Sequence, residues 1–152
     1  MEVSGMNLLT GEYSTTLDEK GRISLPAKIK AALDCGSLVV TRGFDKCLWL
    51  FTPDEWEKIS SSVMEKASPF NPQHRSVLRH LISPATDIEI DKSGRLSITQ
   101  ALRESAGLTK DCVLLGVNKY LELWDAQSYA EYLEANASSI DSAAEELGAI
   151  VF

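Results

Sequence analysis

The chain has 152 residues, of which 44% are hydrophobic and 24% charged, a balance that is typical of a folded globular protein and excludes a disordered chain. No apolar run approaches the roughly 20 residues of a membrane-spanning helix, and residues 1–10 lack the basic cluster of a signal peptide, so we expect a cytoplasmic protein with no membrane partner. The net charge of −7 lies at one end of the chain, because residues 120–152 hold seven acidic residues and no Lys or Arg. Residues 1–119 hold 15 acidic and 15 basic residues, so the net charge does not exclude nucleic-acid binding by this part of the chain.

Residue alternation, turn signals and capping signals predict a first unit over residues 11–66. Pro26 is expected at the first position of a short helix, and Thr52-Pro53-Asp54-Glu55 has the pattern of a capping box. The predicted elements are, in order, strands at 12–17 and 22–25, a helix at 26–33, strands at 38–42 and 48–51, and a helix beginning after Thr52.

A linker helix is predicted within residues 67–84, where Asn71 caps a helix that begins at Pro72. The second unit, residues 85–135, has the same order of elements. They are strands at 86–90 and 95–98, a helix from Thr99 to the residue before Gly107, strands at 112–117 and 120–124, and a helix capped by Asp125. The acidic tail, residues 136–152, is weakly patterned and can form a short amphipathic helix through Ala143, Ala144, Leu147 and Ile150.

The chain repeats itself. Residues 17–25 (LDEKGRISL) recur 73 positions later as residues 90–98 (IDKSGRLSI), and the same offset aligns Leu48-Trp49-Leu50-Phe51 with Leu121-Glu122-Leu123-Trp124. Between these matches, residues 38–40 align with residues 113–115 at an offset of 75. The repeat predicts two equivalent β-rich units of an α+β fold.

Both units carry the motif Asp-x-x-Gly-Arg, as Asp18–Arg22 and as Asp91–Arg95. One interpretation is structural: the aspartate begins a tight turn, the glycine permits it, and the arginine forms a salt bridge back to the aspartate. The other is functional: a pseudo-two-fold axis would bring both arginines onto one surface that binds duplex DNA. Residues 18–30 and 91–103 each have a net charge of +2, although Lys28 and Lys30 would equally suit the solvated face of a helix.

No set of residues indicates an enzyme. There is no Gly-x-Ser-x-Gly sequence, no glycine-rich phosphate loop and no histidine in either repeat, and the nearby arginine would keep each motif aspartate ionised. His74 and His80 are predicted to be surface or packing residues, so no metal or cofactor is expected. Free cysteines and strand aromatics are predicted to lie in the core: Cys35, Cys47, Cys112, Trp49, Phe51, Trp56 and Trp124.

The sequence resembles the MraZ family over residues 11–133. The resemblance rests on Gly11-Glu12-Tyr13, on residues 17–26 and 41–50, and on the second-unit segments 91–95, 102–108 and 123–125. It implies two SpoVT/AbrB-type swapped-hairpin units in a pseudo-two-fold β-barrel with short flanking helices. It departs from the family pattern before Gly11, where this chain has extra residues, and at Thr99, which stands where the first unit has Pro26.

The resemblance also implies a function. Family members form closed homo-oligomeric rings, bind repeated boxes in double-stranded promoter DNA, usually repress the division and cell-wall gene cluster that they head, and associate with the nucleoid. The family's contact motif falls on Asp18–Arg22 and Asp91–Arg95. Arg22 and Arg95 are therefore the expected DNA contacts. The nearby cations Lys20, Lys28 and Lys92 are expected to support them, and the turns are supported by Asp18, Gly21, Asp91 and Gly94.

Two questions stay open, one about the function and one about the apolar faces of two helices. A protein-interaction module such as an AbrB-type antitoxin would use the acidic tail to bind a basic partner. The apolar helix faces 56–63 and 77–82 either lie at contacts between protomers or cap the barrel.

Overall fold

The computed structural model describes residues 9–151 and has an α+β fold. Residues 1–8, part of the segment considered above for a signal peptide, lie outside the described residues. The strands are β1 (Leu9–Thr16), β2 (Arg22–Ser24), β3 (Ser37–Arg42), β4 (Leu48–Phe51), β5 (Thr86–Glu89), β6 (Arg95–Ser97), β7 (Asp111–Asn118) and β8 (Leu121–Asp125). The helices are α1 (Ala27–Ala32), α2 (Pro53–Lys66), α3 (Pro72–Val77), α4 (Gln100–Ala106), α5 (Ala126–Asn136) and α6 (Ile140–Val151).

The strands of the two units are exchanged. In the six-stranded sheet the order is β1-β7-β8-β4-β3-β5, so β1 of the first unit pairs with β7 of the second, and β5 of the second pairs with β3 of the first. The remaining strands, β2 and β6, form an antiparallel ribbon with one strand from each unit. Neither unit therefore completes its sheet without the other.

The pairing is two-fold symmetric. In the ribbon, Ile23 pairs with Leu96, its own counterpart at the offset of 73. In the large sheet, Trp49 likewise pairs with its counterpart Glu122. A pseudo-two-fold axis through these two pairs relates the units.

The predicted alignment of β3 with β7 is wrong by one residue. Val39 pairs with Phe51, and Val113 pairs with Trp124. Since Phe51 and Trp124 are counterparts, Val39 and Val113 are too, at an offset of 74 rather than 75. The second unit has one more residue before this strand and one fewer in the hairpin after it, and similar aliphatic residues on both strands hid the shift.

The main hydrophobic core lies between the ribbon and the inner face of the large sheet, and a smaller second cluster contains Cys47, Leu115 and Trp124. Ile23 and Leu96 of the ribbon and Leu50, Leu114 and Leu123 of the sheet have 0% of their surface exposed and belong to one cluster. Each such side chain contributes about 1.5–3 kcal/mol by burial. The sheet edges β1 and β5 are not joined to each other, and among residues 9–151 no closed barrel is found.

The helix starts follow local sequence signals. Thr52 Oγ1 accepts a hydrogen bond from the Glu55 N–H, and Thr99 caps α4, which ends at Gly107 with a positive φ of 61°. Pro26 has an extended backbone (ψ 144°) and precedes the helix as its N-cap, which corrects the expectation that it occupies the first helical position. The tail forms α6, the amphipathic helix that the spacing of its apolar residues allowed.

The linker packs on the first unit. After α3 the chain makes a π-helical turn, Leu78–Ile82, in which Leu81 is buried. Thr41 Oγ1 donates a 2.6 Å hydrogen bond to the Leu81 carbonyl, and His80 Nε2 lies 2.6 Å from the Gly43 carbonyl oxygen. This half of the linker therefore caps the outer face of the sheet, whereas Val77, 39% exposed, does not.

Asp125 should be one of the most sensitive polar residues of the fold. It is 5% exposed, caps α5 by accepting from the Ser128 N–H, and also accepts from the Thr109 N–H at 3.1 Å. Desolvation by burial raises the pKa of Asp125, but these hydrogen bonds outweigh that effect and hold the pKa below its ordinary value. Asp125→Ala removes the cap and leaves the Thr109 donors unpaired, so we expect a loss of about 2–4 kcal/mol in the free energy of unfolding, measured with urea.

The matched control is Thr52→Ala, at the equivalent position of the first unit. Thr52 caps α2 through a single 3.3 Å hydrogen bond, so its loss should cost only about 1 kcal/mol. Equal losses for the two variants would show that the contacts with Thr109 contribute nothing to stability.

Candidate nucleic-acid interface

Each Asp-x-x-Gly-Arg segment is a tight turn built around its aspartate. Asp18 Oδ1 accepts hydrogen bonds from the backbone N–H groups of Lys20 (2.9 Å) and Arg22 (2.8 Å), while Oδ2 accepts from Arg22 Nε at 2.7 Å. Gly21 has a φ of 79°, a conformation that a side chain would strain. The sequence-based interpretation of a turn with an Asp–Arg salt bridge is confirmed in this unit.

The second turn has the same geometry. Asp91 Oδ1 accepts from the Ser93 and Arg95 N–H groups at 2.9 Å each, Oδ2 accepts from Arg95 Nε at 3.0 Å, and Gly94 has a φ of 77°. The carbonyl of each turn glycine also accepts a hydrogen bond from the other unit, Gly94 from Leu25 and Gly21 from Ile98. Both turns are therefore held against the strand of the opposite unit.

The ribbon brings the two arginines to one exposed face, which we call the ribbon face: Arg22, Ser24, Arg95 and Ser97. Arg22 pairs with Ser97, and Ser24 pairs with Arg95, so all four side chains lie on the side opposite the buried Ile23–Leu96 pair. The arginines are diagonal neighbours across the strands, a relation that places Cα atoms about 7–8 Å apart. Their side chains are 25% and 35% exposed, and the pseudo-two-fold axis relates them.

Asp18 and Asp91 are ionised supports of these arginines. In each turn the largest effect on the carboxyl is the hydrogen bond from the arginine's own backbone N–H, which lowers the pKa. Desolvation raises the pKa, but the side-chain hydrogen bond from the arginine lowers it again, so the pKa lies below its ordinary value. Each carboxylate holds its arginine through Nε. Within residues 9–151, no hydrogen bond from the terminal guanidinium nitrogens of Arg22 or Arg95 is present. Those nitrogens are available for a bidentate contact with phosphate or a guanine edge.

Sequence reasoning left two cations, Lys30 and Arg103, out of the site. They are counterparts at the offset of 73, and each reaches the turn of the other unit. A Cβ added to Gly94 would lie 3.2 Å from Lys30 Nζ, and one added to Gly21 would overlap the Arg103 guanidinium, which also donates to the Ile98 carbonyl at 2.5 Å. The repeat offset is the signal that could have paired them, but their placement depends on the strand exchange.

The other predicted cations lie close in sequence to the ribbon strands. Lys20 and Lys92 lie in the two turns and Lys28 on α1, and all three are exposed. The ribbon brings together residues 18–30 and 91–103, which contain seven Lys and Arg residues and three Asp and Glu residues. The structure thus forms a local basic surface on an acidic chain, which is the electrostatic requirement for binding phosphate.

The remaining candidates have structural roles. Burial raises the pKa of Cys47 to about 12 and that of Cys112 to about 11, as expected for inert core thiols, whereas Cys35 is half-buried. His74 Nδ1 accepts from the Ser68 N–H. No cluster of His, Cys, Asp or Glu among residues 9–151 could hold a metal ion.

The aromatic side chains divide by burial. Phe51 and Trp124 are 2% exposed, as predicted. Trp49, on the outer face of the sheet, and Trp56, on α2, are only half-buried, which corrects the prediction that they lie in the core. The outer face of the sheet lies opposite the ribbon face.

Comparison with known proteins gives the family. The model described as "MraZ protein, putative antitoxin-like" matches the chain twice, over residues 8–80 and 81–149. The chain belongs to the MraZ family. Proteins named "Transcriptional regulator MraZ" include one from Treponema denticola, which is 54% identical over 144 residues, covering 95% of this chain and 100% of that protein. Those from two strains of Treponema pallidum are 43% identical over 141 residues, covering 93% of this chain and 95% of theirs.

The two MraZ matches meet between residues 80 and 81, within the linker, so each contains one turn and one arginine of the ribbon face. Both copies of the motif are therefore within the matched segments. No helix in the described part of the chain combines the length and hydropathy that crossing a bilayer requires.

Acidification should weaken the two turns. Because the pKa values of Asp18 and Asp91 are lowered by folding, their contribution to stability is present above the unfolded value of about 3.9 and is lost as the pH falls through the folded values. We expect the free energy of unfolding of an Asp18→Asn/Asp91→Asn variant to lie below that of the parent at pH 7, and the gap to close as the pH falls below about 4. Urea unfolding across this range measures the gap.

The substitution Asp141→Asn controls for the loss of an exposed carboxylate on α6. The measurements extend down to about pH 2.5, which lies below the reference aspartate pKa of about 3.9. If the difference in the free energy of unfolding between parent and double variant stays constant over this range, ionisation of the two aspartates does not support the turns.

Proposed function

We propose that this chain regulates transcription by binding double-stranded promoter DNA through the ribbon face. The observation that carries the proposal is the pair of arginines, Arg22 and Arg95, placed by the Ile23–Leu96 pairing on one exposed surface about a pseudo-two-fold axis. A two-stranded ribbon fits the major groove of B-DNA, and arginine is suited to bidentate contact with guanine. The names of the Treponema relatives support a role in transcription.

The structural and functional interpretations of the motif are compatible. The aspartate fixes each guanidinium through Nε, so fewer side-chain rotations are lost when the terminal nitrogens bind DNA. Lys20, Lys28 and Lys92 then contact phosphates. Lys30 and Arg103 hold each turn against the opposite unit and add positive charge there.

The finer features implied by the family form part of the proposal. The large sheet and the ribbon enclose one core and together form the pseudo-two-fold barrel. The chain assembles into a homo-oligomeric ring, binds repeated boxes at the head of a division and cell-wall gene cluster, usually represses it, and associates with the nucleoid in the cytoplasm. The strand exchange and the two arginines per chain support repeated contacts along DNA.

The alternative, a tail-mediated interaction module, is favoured by the acidic residues of α5 and α6: Glu131, Glu134, Asp141, Glu145 and Glu146. A gel shift with DNA from upstream of the encoding gene separates the two functions. We expect specific binding by the parent and undiminished binding by a chain with Asp141→Asn, Glu145→Gln and Glu146→Gln. Failure of the parent to prefer this DNA over a scrambled duplex of equal length would reject the regulator.

A further inference from the structure

The C-terminal helix α6 has an apolar face that is largely exposed in the described part of the chain. Ile140, Leu147 and Ile150 lie at helical spacing on one side and are 64%, 61% and 80% exposed. The opposite side carries acidic residues such as Asp141 and Glu145. A helix of 12 residues with this pattern is marginal in water by itself and gains stability by packing its apolar face.

A complementary apolar groove lies between α2 and α3 of the first unit. It has a volume of about 260 Å³ and is lined by Ser62, Val63, Lys66, Ala67, His74 and Val77. Three large apolar side chains are exposed near its lining residues in sequence: Met64 (53%), Phe70 (90%) and Val77 (39%). The two helices thus form a ridge-and-groove surface that their own unit does not cover.

The α3 side of the groove and α6 have opposite charge, whereas α2 carries four acidic side chains and two lysines. Residues 66–86, which include the groove's α3 wall, contain Lys66, Arg75 and Arg79 and no Asp or Glu. Residues 126–152 contain five acidic residues and no Lys or Arg. Charge complementarity of this kind favours encounter and fixes orientation.

We infer that α6 of one copy docks in the α2–α3 groove of a second copy of this chain. Binding of an amphipathic helix in an apolar groove is a common mode of recognition, anchored at i, i+3/i+4 and i+7 positions such as Ile140, Ala144 and Leu147. The helix and the groove are different surfaces, so a copy that has received a helix still offers its own. A contact of this head-to-tail type closes into a ring when the rotation permits.

The inference rests on the proposed ring and adds the surfaces that would form it. In the full-length chain without DNA, Leu147→Asp in the helix or Val77→Asp in the groove should convert the assembly to single chains, measured by sedimentation equilibrium. Ala149→Asp, on the opposite side of α6, adds the same charge and should leave the mass of the assembly unchanged. Circular dichroism and thermal unfolding check that each variant is folded.

A mixture of the two disruptive variants makes the test specific. The Leu147→Asp chain keeps its groove and the Val77→Asp chain keeps its helix, so an equimolar mixture should form pairs of two chains and nothing larger. The inference would be overturned if both variants kept the mass of the parent assembly, or if the mixture formed no pairs. Either result would indicate that α6 docks within its own chain or that the chains assemble through another surface. Binding of a single DNA box depends on the ribbon face and should survive both substitutions, so loss of that binding in the parent would count against the proposed function instead.

Discussion

Replacing Arg22 or Arg95 by alanine should weaken binding to a single operator box by about 1–3 kcal/mol, which is roughly a 5- to 150-fold increase in Kd. Each guanidinium is held by its aspartate on the ribbon face, and alanine removes both the charge and the bidentate donor. The double substitution should leave only weak binding that does not depend on sequence. Fluorescence anisotropy with labelled duplexes, at a fixed salt concentration, measures these changes.

Lysine at the same positions distinguishes charge from geometry. Arg22→Lys keeps the positive charge and loses the planar fork, so it should retain part of the binding to any duplex and lose preference for the box. Lys58→Ala, which removes an exposed cation on α2 away from the ribbon, is the matched control and should bind normally. If a folded Arg22→Ala/Arg95→Ala chain bound its box as tightly as the parent, the arginines would have only the turn-stabilising role.

The repeat was enough to predict much of the fold from the sequence. Local signals such as Thr52, Asn71, Thr99 and Asp125 gave the helix starts, because a side-chain oxygen that caps a helix acts over three residues at most. The offset of 73 likewise identified the two turns as equivalent. Strand exchange depends on contacts between residues far apart in the chain, and it entered the prediction through the family resemblance alone.

The parts that were missed share one physical cause. Lys30 and Arg103 are separated by several residues from the turns of their own units and contact the turns of the opposite units, so proximity in sequence gave no sign of these contacts. The one-residue shift of β7 is similar, since Val113 and Leu114 are both aliphatic and only the pairing shows which one faces the core. Both depend on tertiary register, which composition and local pattern do not specify.

DNA with several boxes should bind far more tightly than DNA with one box. A single chain offers two arginines and a few lysines, which is a small contact for specific binding. When an assembly places several ribbon faces on one duplex, later contacts are intramolecular, and the affinity should rise by about 10²–10⁴. The slope of log K against log salt should also steepen with the number of boxes, because each engaged face releases further counterions.

The measurement compares one box with three boxes, in duplexes of equal length, at two salt concentrations. The control is Leu147→Asp, which should leave single-box affinity unchanged and abolish the gain from three boxes, because its ribbon face is intact but its helix no longer joins chains. Equal affinity per chain for one and three boxes would remove avidity from the mechanism. A gain that persists in a fully monomeric Leu147→Asp chain would instead place the coupling between neighbouring chains on the DNA itself.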